Sequence, residues 1–199
     1  MTTSVLVVLD VQRDFCAGGA LEVPDAEEIL PVVNGLVAAF ERVIVTQDWH
    51  PRGHVSFASS HPGRRVGDRL SLTAGEQLLW PEHCVAGSAG AELHPALRVP
   101  PHAVVLRKGL RAEADAYSAF FENDGLAPVG LEALLRETDA RAVVLAGLAT
   151  DFCVLHTALD GRRLGYDVTV VEAGCRGIDL DGSLAAAWKQ MRAAGVRCA

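Results

Sequence analysis

Ala142-Val143-Val144-Leu145-Ala146-Gly147-Leu148-Ala149-Thr150-Asp151-Phe152-Cys153-Val154 carries the clearest architectural signal in this chain of 199 residues. Ala142–Ala146 is continuously apolar, as a strand covered on both faces would be, rather than alternating like one wetted on a single face. A glycine ends the run, and Asp151–Leu164 then reads as a helix. A buried strand feeding directly into a helix is half of a βαβ unit. Four comparable runs occur, at Ser4–Leu9, Arg42–Gln47, Ala103–Arg107 and Asp167–Val171. Helical patterns fall at Leu131–Thr138, at Ser183–Ala194, and at Asp25–Phe40, where Asp25 and Glu28 have capping-box spacing. Val196–Cys198 reads as a sixth, short strand. Strands alternating with helices require right-handed crossovers. The expected class is therefore α/β, a three-layer α/β/α fold around a mostly parallel sheet of about six strands. With no internal repeat or linker, residues 1–199 read as one domain.

Asp48 to about Pro101 interrupts this rhythm. Here His-Pro and Trp-Pro pairs, several glycines and no convincing periodicity read as a long loop. Loops of that length in compact domains are functional or disordered, and Trp49, Phe57 and Trp80 favour function.

Composition narrows the remaining choices. The formal net charge is -7 and no Lys/Arg run occurs, which argues against nucleic acid and anionic membrane surfaces as partners. No apolar stretch approaches the roughly 20 residues of a membrane helix. Met1-Thr2-Thr3-Ser4 lacks the features of a secretion signal, so the expected location is cytoplasmic. The cysteines are Cys16, Cys84, Cys153, Cys175 and Cys198, an odd count without a Cys-x-x-Cys pair. A disulfide framework or a thiolate zinc site is thereby disfavoured.

In a doubly wound parallel sheet, ligands sit at the carboxyl ends of the strands. Asp10, Asp48, Lys108 and the turn into Cys153 all fall there, at the ends of four different runs. Cys153 stands near a predicted helix N-terminus, a setting that favours a thiolate, although a buried cysteine plugging the sheet–helix interface reads equally well. In Asp48-Trp49-His50-Pro51-Arg52-Gly53-His54, an acid and a histidine two apart can face one ion, with His83 as a third ligand and His54 as a further candidate. An Asp/His/His set suits zinc, ferrous iron or manganese.

These segments resemble the nicotinamidases (pyrazinamidases) of the isochorismatase-like cysteine hydrolases. The resemblance rests on Val8-Leu9-Asp10-Val11-Gln12-Arg13-Asp14-Phe15-Cys16, Thr46-Gln47-Asp48-Trp49-His50-Pro51 and His54-Val55-Ser56-Phe57. It continues through Trp80-Pro81-Glu82-His83-Cys84-Val85, Lys108-Gly109, Asp115-Ala116-Tyr117-Ser118-Ala119-Phe120 and Gly147-Leu148-Ala149-Thr150-Asp151-Phe152-Cys153-Val154. It implies hydrolysis of nicotinamide to nicotinate and ammonia in NAD salvage, and of pyrazinamide likewise, through a Cys153 thioester. Asp10 would transfer protons, Lys108 would complete the triad, and Asp48, His50 and His83 would hold one divalent metal ion, zinc before iron or manganese. Phe15 and Trp80 would sandwich the ring, with Leu148 and Ala149 also at the substrate. A cis peptide is expected between Leu148 and Ala149, and the N–H groups of Ala149 and Cys153 would form the oxyanion hole. A homo-oligomer is compatible with this reading. The runner-up is a related cysteine hydrolase acting on another small amide or carbamoyl compound, for which the Asp/His/His set has no evident purpose. A catalytically silent binding module would lack one of these residues, and none is missing.

Overall fold

The computed structural model describes residues 4–72 and 75–199. The strands in chain order are β1 (Ser4–Leu9), β2 (Val43–Asp48), β3 (Arg69–Leu72), β4 (Gly75–Leu78), β5 (Val104–Lys108), β6 (Ala142–Gly147), β7 (Asp167–Cys175) and β8 (Arg197–Cys198). The helices are α1 (Leu30–Ala39), α2 (Leu131–Glu137), α3 (Leu155–Arg163) and α4 (Ser183–Ala193). Six strands form one parallel sheet in the order β5-β2-β1-β6-β7-β8. The chain winds outward from β1 through β2 to β5, then returns to β1's other side and winds through β6, β7 and β8. That reversal makes the crevice beyond β1 and β6 the topological switch point, where ligands of such sheets bind.

Two apolar layers hold the sheet. Val5, Val7 and Leu9 join Leu131, Leu135, Leu155, Ala187 and Met191 of α2, α3 and α4 on one face. Leu6 and Val8 join Val33 and Val37 of α1 on the other. Burying a Val or Leu in this way contributes roughly 1.5–3 kcal/mol. Gly147 is required where β6 crosses β1: its φ is +130°, and a Cβ there would lie 2.1 Å from the Leu9 carbonyl oxygen.

Several expectations need correction. The run at 103–107 becomes β5 at the sheet edge, with Val104 and Val105 43% and 44% exposed, because no strand pairs with its outer side. The capping box at Asp25 does not form. Asp25 takes a left-handed conformation ahead of a 3-10 turn, α1 starts only at Leu30, and Glu28 pairs with Arg176 at 2.8 Å. The segment from 48 to 101 is not wholly loop, since β3 and β4 form an antiparallel pair within it. No described helix is long and apolar enough to cross a membrane.

Candidate active site

The carboxyl ends of β1, β2, β5 and β6 converge on one buried cluster. Asp10 follows β1 with φ +50°, a left-handed turn that donates its N–H to Thr46 Oγ1 at 3.1 Å and accepts the Thr46 hydroxyl at 2.5 Å. Lys108 ends β5 with 1% exposure. Its Nζ lies 3.0 Å from Asp10 Oδ2 and 3.3 Å from Cys153 Sγ, touches Asp48 Oδ1, and donates to the Ala116 carbonyl at 3.0 Å. Asp10 Oδ2 faces the Lys108 ammonium, and one Asp10 oxygen lies within 4.8 Å of Cys153 Sγ.

Cys153 does not open a regular helix. Thr150–Val154 forms one wide π-type turn between β6 and α3, the kind of irregularity that often marks functional sites. The Leu148–Ala149 peptide before it is cis. The Ala149 N–H donates to nothing among the described residues, whereas Leu148 N–H bonds Leu9 O and Thr150 N–H bonds Arg176 O. Leu148 itself points into the core, and only Ala149 of the pair lines the cavity.

The electrostatics follow from burial. Burial, reinforced by the Asp48 charge, raises the Asp10 carboxyl above its ordinary range although Lys108 pulls it down. Burial alone would raise Asp48 too, but Lys108 and then His50 outweigh it and hold that acid well below the carboxylate range. Burial opposes the Lys108 charge, which Asp10 and Asp48 nevertheless keep firmly in place. Burial pushes the Cys153 thiol well above its ordinary value, and Asp10 and Asp48 add to this against Lys108.

Asp48 links this triad to a second group. Its Oδ2 lies 3.7 Å from His50 Nε2. Asp48, His50 and His83 each bring one ligand atom within 4.8 Å of the others. His50 Nδ1 bonds the Gly109 carbonyl at 3.1 Å and His83 Nδ1 bonds the Pro81 carbonyl at 2.8 Å. A backbone carbonyl on Nδ1 sets the tautomer that leaves the Nε2 lone pair for an ion. Burial and His50 also lower His83 to about 4, so it is neutral, as a ligand must be. A carboxylate and two imidazoles around one point form a donor set of the kind that holds a divalent cation. The three residues therefore fit a metal ion. His54 stacks on His50 at 4.2 Å, and its nitrogens bond Ser56 Oγ at 2.7 Å and Ala114 O at 3.1 Å; it also meets His50 and Asp115 with one ligand atom each within 4.8 Å.

A narrow cavity with about 330 Å³ of unfilled space joins the two groups; Phe15, Trp80, Ala149 and Cys153 line it together with Asp48, His50 and His83. Sequence reasoning missed Tyr117, Asp115 and Phe152, which line it too. It also missed Gln12, wholly buried, whose carboxamide serves as a substitute strand partner for Asp48. Gln12 Oε1 accepts the Asp48 N–H at 2.8 Å, while Nε2 donates to the Asp48 carbonyl at 2.8 Å and to Ala91 O at 2.9 Å. Asp14 holds the other ligand segment, accepting the Cys84 N–H at 2.7 Å next to His83. Both lie in the Asp10–Phe15 segment, where polar residues on every second position were the available signal.

A buried thiol, acid and ammonium at the switch point of a parallel sheet are the parts of a cysteine hydrolase on a three-layer α/β/α scaffold. The isochorismatase domain model matches residues 4–199, and the chain belongs to that family. It is 45% identical over 192 residues to the nicotinamidase of Acinetobacter baylyi, covering 96% of this chain and 90% of that one. PnC1 from L. infantum in complex with nicotinate superposes with a TM-score of 0.86 at 39% identity, over 100% of this chain and 92% of that one. The pyrazinamidase of Pyrococcus horikoshii in complex with zinc gives 0.82 at 31% identity, over 99% and 98%.

Proposed function

We propose that this chain is a metal-dependent cysteine amidohydrolase converting nicotinamide to nicotinate and ammonia, with pyrazinamide as a second substrate, in cytoplasmic NAD salvage. The observation that carries this reading is the position of Lys108. It touches Asp10, Cys153 and Asp48, while the second oxygen of Asp48 faces His50 and His83 across the same cavity. The nicotinamidase relative and the nicotinate-bound neighbour support the substrate, and the zinc-bound neighbour supports the metal.

Phe15 and Trp80 hold the aromatic ring, placing the carboxamide carbon beside Cys153 Sγ, so that orientation lowers the barrier before any bond changes. A divalent ion held by Asp48, His50 and His83, zinc ahead of iron or manganese, would supply Lewis acidity toward the heterocycle's ring nitrogen. Asp10 Oδ2 takes the thiol proton as sulfur attacks the carbonyl carbon. An acid whose pKa is raised by burial is a stronger base than an ordinary carboxylate, and its protonated form is better populated near neutral pH, where it serves as the general acid. The N–H groups of Ala149 and Cys153 receive the tetrahedral oxyanion, each donor being worth about 3–4 kcal/mol in other hydrolases. Collapse breaks the C–N bond, Asp10 protonates the departing nitrogen, and ammonia leaves a Cys153 thioester. Asp10 then deprotonates water, which attacks the thioester, and the acid product leaves as the Cys153 thiol regains its proton. Lys108 keeps its charge throughout and stabilises the anionic forms of both partners.

Ammonia release from nicotinamide by purified, metal-replete protein tests this reading, with the acyl-enzyme sought by mass spectrometry after rapid acid quench. A metal-replete protein that releases no ammonia from nicotinamide ends it.

A further inference from the structure

The cavity beside Cys153 shares a wall with a larger groove. That groove holds about 1240 Å³ of unfilled space and runs between the β3–β4 pair and the start of α4, from Arg69 and Leu78 on one side to Ser183 and Ala186 on the other. Tyr117 and Phe152 line both spaces, so their rings are the partition. The two rings are held very differently. Tyr117 Oη accepts from Trp80 Nε1 at 3.1 Å and from Gln77 Nε2 at 3.4 Å, which ties it to the ring-binding wall. Phe152 has no polar anchor; it packs edge-on against Trp80 at 4.9 Å and against Tyr117 at 5.5 Å, and is only half-buried. Phe152 is thus the element of the partition whose removal leaves the hydrogen-bonded wall standing.

We propose that Phe152 sets the upper limit on substrate size, and that the outer groove is a latent subsite for substituents on the ring of an aromatic carboxamide. The inference rests on the amidohydrolase reading above and adds a specificity-determining residue to it. The chemistry at Cys153 is unchanged, since the carboxamide stays where the unsubstituted substrate places it and only the far edge of the ring gains room. The groove is mixed in character, with Leu78 and Ala186 beside the solvent-exposed Arg69–Glu76 pair at 3.6 Å, so it accepts apolar arms with a polar tip.

The test uses the metal-replete full chain and ammonia release from nicotinamide and from ring-substituted pyridine-3-carboxamides, the substituents running from methyl to benzyl. In Phe152→Ala, kcat/KM for the bulkier amides relative to nicotinamide rises about tenfold or more over wild type, the scale that pocket contacts supply. The gain appears chiefly in KM. Ala186→Trp, placed in the outer groove away from the reacting atoms, leaves nicotinamide turnover as it was but removes the gain for the longest substituents when combined with Phe152→Ala. Phe152→Leu serves as the milder variant, with thermal melts reporting folding of each protein. If wild type turns over nicotinamide and no substituted amide gains in either folded variant, Phe152 is not the limit and the inference falls. A wild type inactive on nicotinamide fails the amidohydrolase reading instead, a distinguishable result.

Discussion

The two ends of the central sheet both carry cavities, and the space at the amino end exceeds the one beside Cys153 yet has the weaker chemistry. At the amino end, a space of about 850 Å³ is lined by Val5, Arg42, His102, Val104, Leu134 and Glu137 among others, and its charged groups do not gather on a common point. At the carboxyl end the cavity is less than half that size, about 330 Å³, yet a thiol, two acids, an ammonium and two imidazoles meet around it. The carboxyl ends of parallel strands project successive side chains from separate strands into one crevice, and the low dielectric there makes each charge matter to its neighbours. Convergence of polar groups marks the site, and volume does not.

This contrast can be tested at both ends. The largest effect is expected for Cys153→Ala, with turnover of nicotinamide falling by about 10⁴-fold or more while bound metal, measured by elemental analysis, stays at wild-type stoichiometry. Near-normal rates in that variant would overturn the thioester scheme. Next comes loss of the ion: dialysis against a chelator should abolish ammonia release, and adding back zinc, iron or manganese should restore it. His83→Ala should resist that restoration, because two of three ligands remain. Gln12→Ala should weaken metal affinity by about 10–100-fold, the scale seen when groups that hold ligands in place are removed. A competing chromophoric chelator reads this directly, and unaltered affinity would show that Asp48 keeps its place without the Gln12 carboxamide. Smallest of all, His102→Ala at the amino end should leave kcat/KM unchanged and shift stability by no more than about 0.5 kcal/mol in a denaturant titration. A large loss of activity there would undo the contrast.

Much of this was legible beforehand, for a physical reason. The six sheet strands were placed within a few residues, because a strand covered on both faces must be apolar throughout. Asp10, Asp48 and Lys108 stood out because each is a polar residue at the end of such a run. The failures share a different cause. Edge exposure of β5, the unformed cap at Asp25 and the raised Cys153 thiol all depend on what lies across space: an unpaired sheet edge, Arg176 pairing with Glu28, and burial of the sulfur beside two acids. The β3–β4 pair escaped notice because, of the eight residues in Arg69–Leu72 and Gly75–Leu78, only the polar Gln77 is buried, so no continuous apolar run marks either strand. Spacing could not show that His54 meets Ser56 and Ala114 through its ring nitrogens and shares a second cluster with His50 and Asp115.

The amino-acid order alone settled the alternation of buried strands and helices, and with it the strand ends where reactive groups could stand, because periodicity and burial are local properties of the chain. Which of those groups meet came only from folding. Lys108 lies between Asp10 and Cys153, Asp48 divides its oxygens between an ammonium and two imidazoles, and Phe152 stands between two cavities. Apart from Asp48 and His50, those relations join residues that are tens of positions apart, and only close packing of the sheet's carboxyl edge brings them together.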